Sequence, residues 1–240
     1  MSLLKTFRNN LRPEHRLTRM LLSGTGEIFM VMVGVLLALL VQNWNDDRKD
    51  AIKEAKLLRE MHTNLASDLS DCRYNIEASA RYLRGNQAVL KQLTDRTPFH
   101  DSLRIHYANI WGNTTLTTNL AAYDNLKSIG FNLVRNDSLR QLITALYSNK
   151  YSYLHDVEFE ADSKLQWELM MPLVNAHVVV DTIWVSGHPI DAEALMDNVP
   201  FQGYLRTNIF IRKFMMGQYK SIEKRIEDLQ AMIHRELEGR

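Results

Sequence analysis

Cysteine is almost missing from this chain: Cys72 is the only one in 240 residues. That excludes an internal disulfide and any metal centre built from several thiolates. A disulfide between two copies through Cys72 stays open in an oxidising compartment. Neither sign of charge dominates, since 29 Lys and Arg stand against 28 Asp and Glu for a formal net charge of +1. Nothing in that balance draws the chain to nucleic acid, and none is expected as a partner. Reaction motifs are missing too. There is no glycine-rich phosphate loop, no Gly-x-Ser-x-Gly elbow and no His-Glu-x-x-His pair. The eight histidines are scattered, and His100 and His106 are six residues apart, off a common helical face. No metal, cofactor or catalytic residue is therefore expected, and the chain reads as a non-enzyme.

What is present is one long apolar run. From Ile28 to Val41 there is no charge and no strongly polar residue. Those 14 residues give about 21 Å of helix, short of the about 30 Å of a bilayer core. Extending the run from Met20 to Trp44 makes the span adequate and admits Ser23, Thr25, Glu27 and three glycines. Trp44 suits the water–lipid boundary. Three readings compete. A cleaved signal peptide needs a small-x-small site, and Val41-Gln42-Asn43-Trp44 is a poor one. A buried helix of a soluble protein leaves Lys5, Arg8, Arg12, Arg16 and Arg19 without a reason. An uncleaved single-pass anchor accounts for both, and is the expectation.

The expected divisions are a basic cytoplasmic tail at 1–20, a transmembrane helix at 21–44 and an extracytoplasmic helical domain at 45–240. The tail is read either as an amphipathic helix on anionic lipid or as a plain basic tail. Cations flank both ends of the anchor, so charge counting does not orient it. A short basic tail is hard to translocate, whereas a long following domain crosses largely regardless of charge.

One face of the anchor differs from the rest. Ser23, Glu27, Gly34, Ala38, Gln42 and Asn45 form a small and polar stripe on a helix otherwise made of Met, Val and Leu. Gly34 and Ala38 are a small-xxx-small pair that lets two backbones approach. The stripe reads as an oligomer seam or a pore lining. The competing reading puts Glu27 at the cytoplasmic interface, reaching water.

Beyond Asp50 no proline occurs before Pro98, and Gly85 is the one glycine up to Thr94. Leu58, Leu65, Leu69, Cys72, Ile76, Leu83 and Leu90 mark a heptad-like seam, continued at Leu93. His62, Ser79 and Asn86 fill its gaps. One long coiled-coil-like helix is expected, ended by Thr97-Pro98. Short helices follow at 101–111 and from about 116 to Ser128, with Asn113-Thr114-Thr115 as a turn or cap and Gly130 as a stop. Asn136-Asp137-Ser138 caps a helix that should end before Pro172. Residues 177–185 are strand material, Gly187-His188-Pro189 reads as a turn, and a short helix follows at 191–197. The last helix, from about Tyr204 to Leu237, carries Ile211, Met215, Ile222, Ile226, Leu229 and Ile233 on one edge. The fold class is mainly α. The two long helices pair antiparallel, and smaller helices with a minor β element cap the distal end.

Two features of the middle region invite chemistry. Glu158, Glu160 and Asp162 could act as an acid–base pair, though a solvated face is the commoner meaning of such a run. Tyr147, Tyr151, Tyr153, Trp167 and Trp184 supply aromatic surface, read first as core and second as a pocket.

Gly26-Glu27-Ile28 running into Val33-Gly34-Val35, then Asn43-Trp44-Asn45, resembles an uncharacterised domain-of-unknown-function family of bacterial single-pass inner-membrane proteins. A second matching block starts at Ala122-Tyr123-Asp124-Asn125-Leu126 and continues through Leu133-Val134-Arg135-Asn136-Asp137. Leu40-Val41-Gln42 departs from the Gln-Ile-Asn that such proteins tend to carry. The resemblance implies membrane placement, a helical build and no activity. The bulk of the chain is then expected in the periplasm. The expected function is non-enzymatic, through self-assembly or docking to a membrane or periplasmic partner, with membrane lipid around the anchor. The alternatives are a ligand-sensing module that signals through a partner, and a small oligomeric pore.

Overall fold

Buried positions recur at alternating steps of four and three along two long stretches, and each stretch is a helix. The computed structural model describes residues 16–239, and the side chains of residues 27–239. In chain order the helices are α1 (Arg16–Thr94), α2 (Arg104–Tyr107), α3 (Ala121–Ile129), α4 (Asp137–Thr144), α5 (Ser152–Asp156), α6 (Met171–His177), α7 (Ala192–Met196) and α8 (Val199–Glu238). A hairpin of β1 (Val178–Thr182) and β2 (Ser186–Pro189) lies between α6 and α7. The chain forms two compact units that divide between Lys53 and Glu54.

In the second unit the buried line along α1 is Glu54, Leu58, Met61, Leu65, Asp68, Cys72, Asn75, Ser79, Tyr82, Asn86, Val89 and Leu93. Along α8 it is Phe201, Leu205, Asn208, Arg212, Met215, Tyr219, Ile222, Ile226, Leu229 and Ile233. The two lines face each other antiparallel. Gln230 donates to His62 O at 3.3 Å, Cys72 Sγ to Tyr219 O at 3.2 Å, and Asn208 Nδ2 to Asn86 Oδ1 at 3.2 Å. Arg73 reinforces the pairing from outside, reaching Glu223 and Glu227 at 2.8 and 2.7 Å.

The middle of the chain does more than cap one end. Residues 137–177 are helical without a break, with α4, α5 and α6 joined by π-helical turns at Ala145–Tyr151, Val157–Ser163 and Leu165–Met170. This run lies along both long helices as a third member. Leu139, Ile143, Leu146 and Leu154 share a core with Leu58, Leu65, Ile226 and Ile233. Its other end, at Val174, joins Val89, Leu93, Phe201 and Leu205 in a second core. Asn136 caps it, accepting from Leu139 N at 3.1 Å, as its sequence suggests.

The expected stop before Pro172 does not occur. Pro172 falls just past the π turn that ends at Met170, so its missing amide hydrogen coincides with an existing irregularity in the helical hydrogen bonding. Gly187-His188-Pro189 is not a turn either. It belongs to β2, with Val178 opposite Pro189 and Val180 opposite Gly187. The chain reverses at 183–185 instead, with Trp184 in the left-handed region at φ 63. The last helix starts earlier than its apolar edge suggests. Asn198 accepts from Phe201 N at 2.9 Å and Pro200 fits the first turn of α8.

A turn and then a helix are expected over residues 112–120, yet these residues form neither helix nor strand. Side chains of the bundle take the place of a neighbouring strand. Asp71 Oδ2 accepts from Thr117 N at 2.7 Å, Asp68 Oδ1 from Asn119 N at 2.9 Å, and Glu158 Oε1 from Leu116 N at 2.9 Å. With no strand beside them, these half-buried and exposed amides are satisfied by carboxylates on α1 and the third helix. Cys72 is fully buried, with burial first among the causes that push its thiol up to about 12. A disulfide to a second copy is therefore closed to it in this fold.

Candidate functional site

Two apolar cores are separated by a polar layer. On α1 the change comes at Asn75, Ser79, Tyr82 and Asn86, between Cys72 and Val89. On α8 it comes at Asn208 and Arg212, between Leu205 and Met215. The third helix contributes Asp162 and Gln166. Arg212 is fully buried and pairs with Asp162. Burial holds its guanidinium below the usual range, at about 10. Its Nε and Nη1 have no hydrogen-bond partner among the described residues. Gln166 Nε2 donates to Asn208 Oδ1 at 2.8 Å, Asn208 Nδ2 to Ile110 O at 2.7 Å, and Asn86 Nδ2 to Tyr82 O at 2.8 Å. The layer therefore ties α1, the third helix, α8 and the segment after α2 together.

A cleft of about 540 Å³ opens at this level. Its walls come from four elements. Tyr82 is on α1, Trp111, Gly112 and Asn113 follow α2, Trp167 stands in the last π turn, and Thr182, Ile183 and Trp184 form the hairpin tip. Trp111 and Trp167 meet edge to face at 5.7 Å. Gly112, at φ 124, is needed twice over, because a Cβ there would also come within 2.9 Å of the Tyr82 ring. Its amide donates to Gln166 Oε1 at 3.0 Å, fixing the cleft floor to the polar layer. Asn109 Nδ2 donates to Trp184 O at 2.9 Å and pins the tip.

The aromatic residues singled out in the sequence separate. Trp167 and Trp184 join the cleft, while Tyr147 stacks on Tyr123 in the core with centroids 4.7 Å apart. Tyr151 is buried and donates to Asp68 Oδ2 at 2.8 Å, and Tyr153 is exposed. Tyr82 and Trp111 carry no sequence signal of their own, because only the fold brings them to Trp167 and Trp184. The acidic run also separates. Glu158 and Asp162 are buried, and Glu160 is outside with Lys164. Burial first of all pushes the Glu158 carboxyl up to about 6, and Tyr219 OH lies 2.7 Å from its Oε1. Among the described residues no three His, Cys, Asp or Glu side chains are placed to hold a metal ion.

Of the heptad residues, Leu58, Leu65 and Cys72 are fully buried, while Leu69, Ile76, Leu83 and Leu90 flank the buried line and are half-buried. Of the stripe, Glu27, Gly34, Ala38, Gln42 and Asn45 are exposed, as is Trp44. The Ser23 side chain and residues 1–15 of the basic tail lie outside the described residues. α1 contains a window long and apolar enough to cross a membrane, near the N-terminus, and none of that window is buried.

A family of unknown function, DUF6090, matches residues 27–167, more than half of the chain. The chain belongs to this family. The DUF6090 match starts at Glu27, covers the exposed apolar window and the polar line of α1, and ends at Trp167 in the cleft. No curated protein and no solved structure matches this DUF6090 chain.

Proposed function

We propose that this DUF6090 protein is a non-enzymatic, single-pass membrane protein of the bacterial inner membrane that holds a helical domain on the periplasmic side. One observation carries the reading: an apolar helix with no burial at all, on a chain whose other unit buries its own seam. Ile28, Phe29, Met30, Val31, Met32, Val35, Leu36, Leu37, Leu39, Leu40 and Val41 are all at least 48 % exposed. Keeping such side chains in water forgoes roughly 1.5–3 kcal/mol each on full burial. Summed over the helix, that exceeds the roughly 5–15 kcal/mol by which a domain is stable. Lipid removes the cost. Trp44 then sits at one boundary, and the exit continues into the domain.

Within the bilayer the protein works by association, with a second copy or with a membrane partner. Gly34 and Ala38 are a small-xxx-small pair on an exposed stretch of helix, which lets two backbones approach closely. Crosslinking in native membranes is expected to trap a dimer or larger species, and Gly34→Leu to remove it. A wild-type monomer under the same treatment rejects the association.

A second reading, a periplasmic binding module that signals through a partner, is favoured by the cleft. Trp167 and Trp184 are 52 % and 47 % exposed, an unusual placement unless something lies against them.

A further inference from the structure

We infer that the cleft is a binding site for a small ring-bearing anion, such as an aromatic carboxylate; the inference rests on the binding-module reading. Its volume, about 540 Å³, lies in the range of small-molecule sites. Tyr82, Trp111, Trp167 and Trp184 offer flat apolar faces, and Asn113 and Thr182 add polar groups at the same walls.

Charge selects among flat ligands. Arg81 rests against two of the walls, its guanidinium carbon 5.6 Å from the Tyr82 ring and 5.9 Å from the Trp184 ring. Its side chain hydrogen-bonds the Tyr82 hydroxyl, no carboxylate pairs with it among the described residues, and its buried Nε has no hydrogen-bond partner. The other cation near Tyr82, Arg212, is already neutralised by Asp162. Asp181, beside Thr182, is committed to Arg104, Ser186 and His188. The charge without a carboxylate partner beside the Tyr82 and Trp184 walls is therefore positive, which disfavours a cation despite the aromatic walls and favours a carboxylate.

The hairpin tip is built to hold one wall still. Trp184 keeps a left-handed backbone, costly for a bulky residue, and its carbonyl is clamped by Asn109. A fixed indole lowers the ordering cost of binding.

The chain has four tryptophans, and three line this cleft. In the full chain carrying Trp44→Phe, purified in detergent, all tryptophan emission therefore reports on the site. Phenylacetate, benzyl alcohol and benzylamine probe anion, neutral ring and cation. Saturable quenching about tenfold tighter for phenylacetate than for benzyl alcohol is expected, the size of one charge-assisted hydrogen bond. Arg81→Gln removes that preference by weakening phenylacetate to the level of benzyl alcohol, and Trp184→Ala removes binding. Equal binding of the three probes, tighter benzylamine, or an unchanged preference in Arg81→Gln overturns the anion assignment while the binding module stands. No saturable response to any probe overturns both.

Discussion

Arg212 on α8 and Asp162 on the third helix form an ion pair with 0 % and 1 % of their side chains exposed. It sits where the two apolar cores meet. Such a pair is costly to assemble and costlier to halve. Asp162→Ala strands a buried guanidinium and is expected to lower the unfolding free energy by about 3–5 kcal/mol. Replacing both partners, as Asp162→Leu with Arg212→Met, is expected to be near neutral or stabilising. Urea unfolding of the wild type and these two variants compares the halved pair with the replaced one. A mild Asp162→Ala would mean that the pair carries little of the layer.

Glu158 makes stability depend on pH. Its folded carboxyl titrates at about 6, above the ordinary 4.5, because burial penalises the charge. The folded state therefore binds the proton more tightly, and this contribution is full below 4.5 and lost as pH rises through 6. Glu158→Gln keeps an acceptor for Leu116 N and Tyr219 OH and removes the charge. The Gln variant should gain about 2 kcal/mol on the wild type between pH 4.5 and pH 7. Burial also raises Asp68, but that effect is common to both chains and cancels. A difference that stays constant with pH contradicts this account of Glu158.

The irregular segment at 112–120 should show sheet-like protection at three amides. Amide exchange at Leu116, Thr117 and Asn119 is expected to be slow although no strand pairs with them, because Glu158, Asp71 and Asp68 accept their hydrogens. Asp68→Ala leaves Asn119 N and Tyr151 OH without this acceptor. It should speed exchange at Asn119, whose exposed amide turns to water, and cost about 1–3 kcal/mol for the buried Tyr151 hydroxyl left unsatisfied. Fast exchange at all three amides in the wild type would sink the idea.

That segment also shows where sequence reading stops. Caps are local, so Asn136 and Gly130 were legible from a few neighbouring residues. The antiparallel pairing of two long helices was legible from their apolar edges. The buried line of α1 was only half legible. Periodicity counts apolar residues, and here Asp68, Asn75, Ser79 and Asn86 occupy interior positions while Leu69, Ile76, Leu83 and Leu90 flank them. The register places Ser79 and Asn86 in the seam, but Asp68 and Asn75 are interior because they bind Asn119 and Thr114 of a distant segment, which no window of sequence contains. Pro172 misleads for a related reason, since it follows directly on a π turn that no local pattern announces. The cleft depends on residues 82, 111, 167 and 184 meeting, and only the fold makes them neighbours.

Gly85 and Gly217 separate packing from helix propensity. In a helix interior alanine is better than glycine by about 1 kcal/mol. Gly217→Ala meets nothing within 4 Å and should stabilise by about that much. Gly85→Ala puts a Cβ 2.6 Å from Asn109 O and 2.9 Å from His106 O, backbone atoms that cannot swing aside. It should destabilise instead, with the sign reversed. Thermal midpoints of the two variants decide it, and a stabilised Gly85→Ala would contradict the close approach of α1 to the turn after α2.

The central claim is that the exposed apolar helix is held in lipid. Membranes from cells making the full chain, washed with alkaline carbonate and then sedimented, test it directly. The account predicts full-length chain retained in the pellet and released only by detergent. Full-length chain recovered in the carbonate supernatant, or a shortened chain lacking residues 27–44, would contradict it.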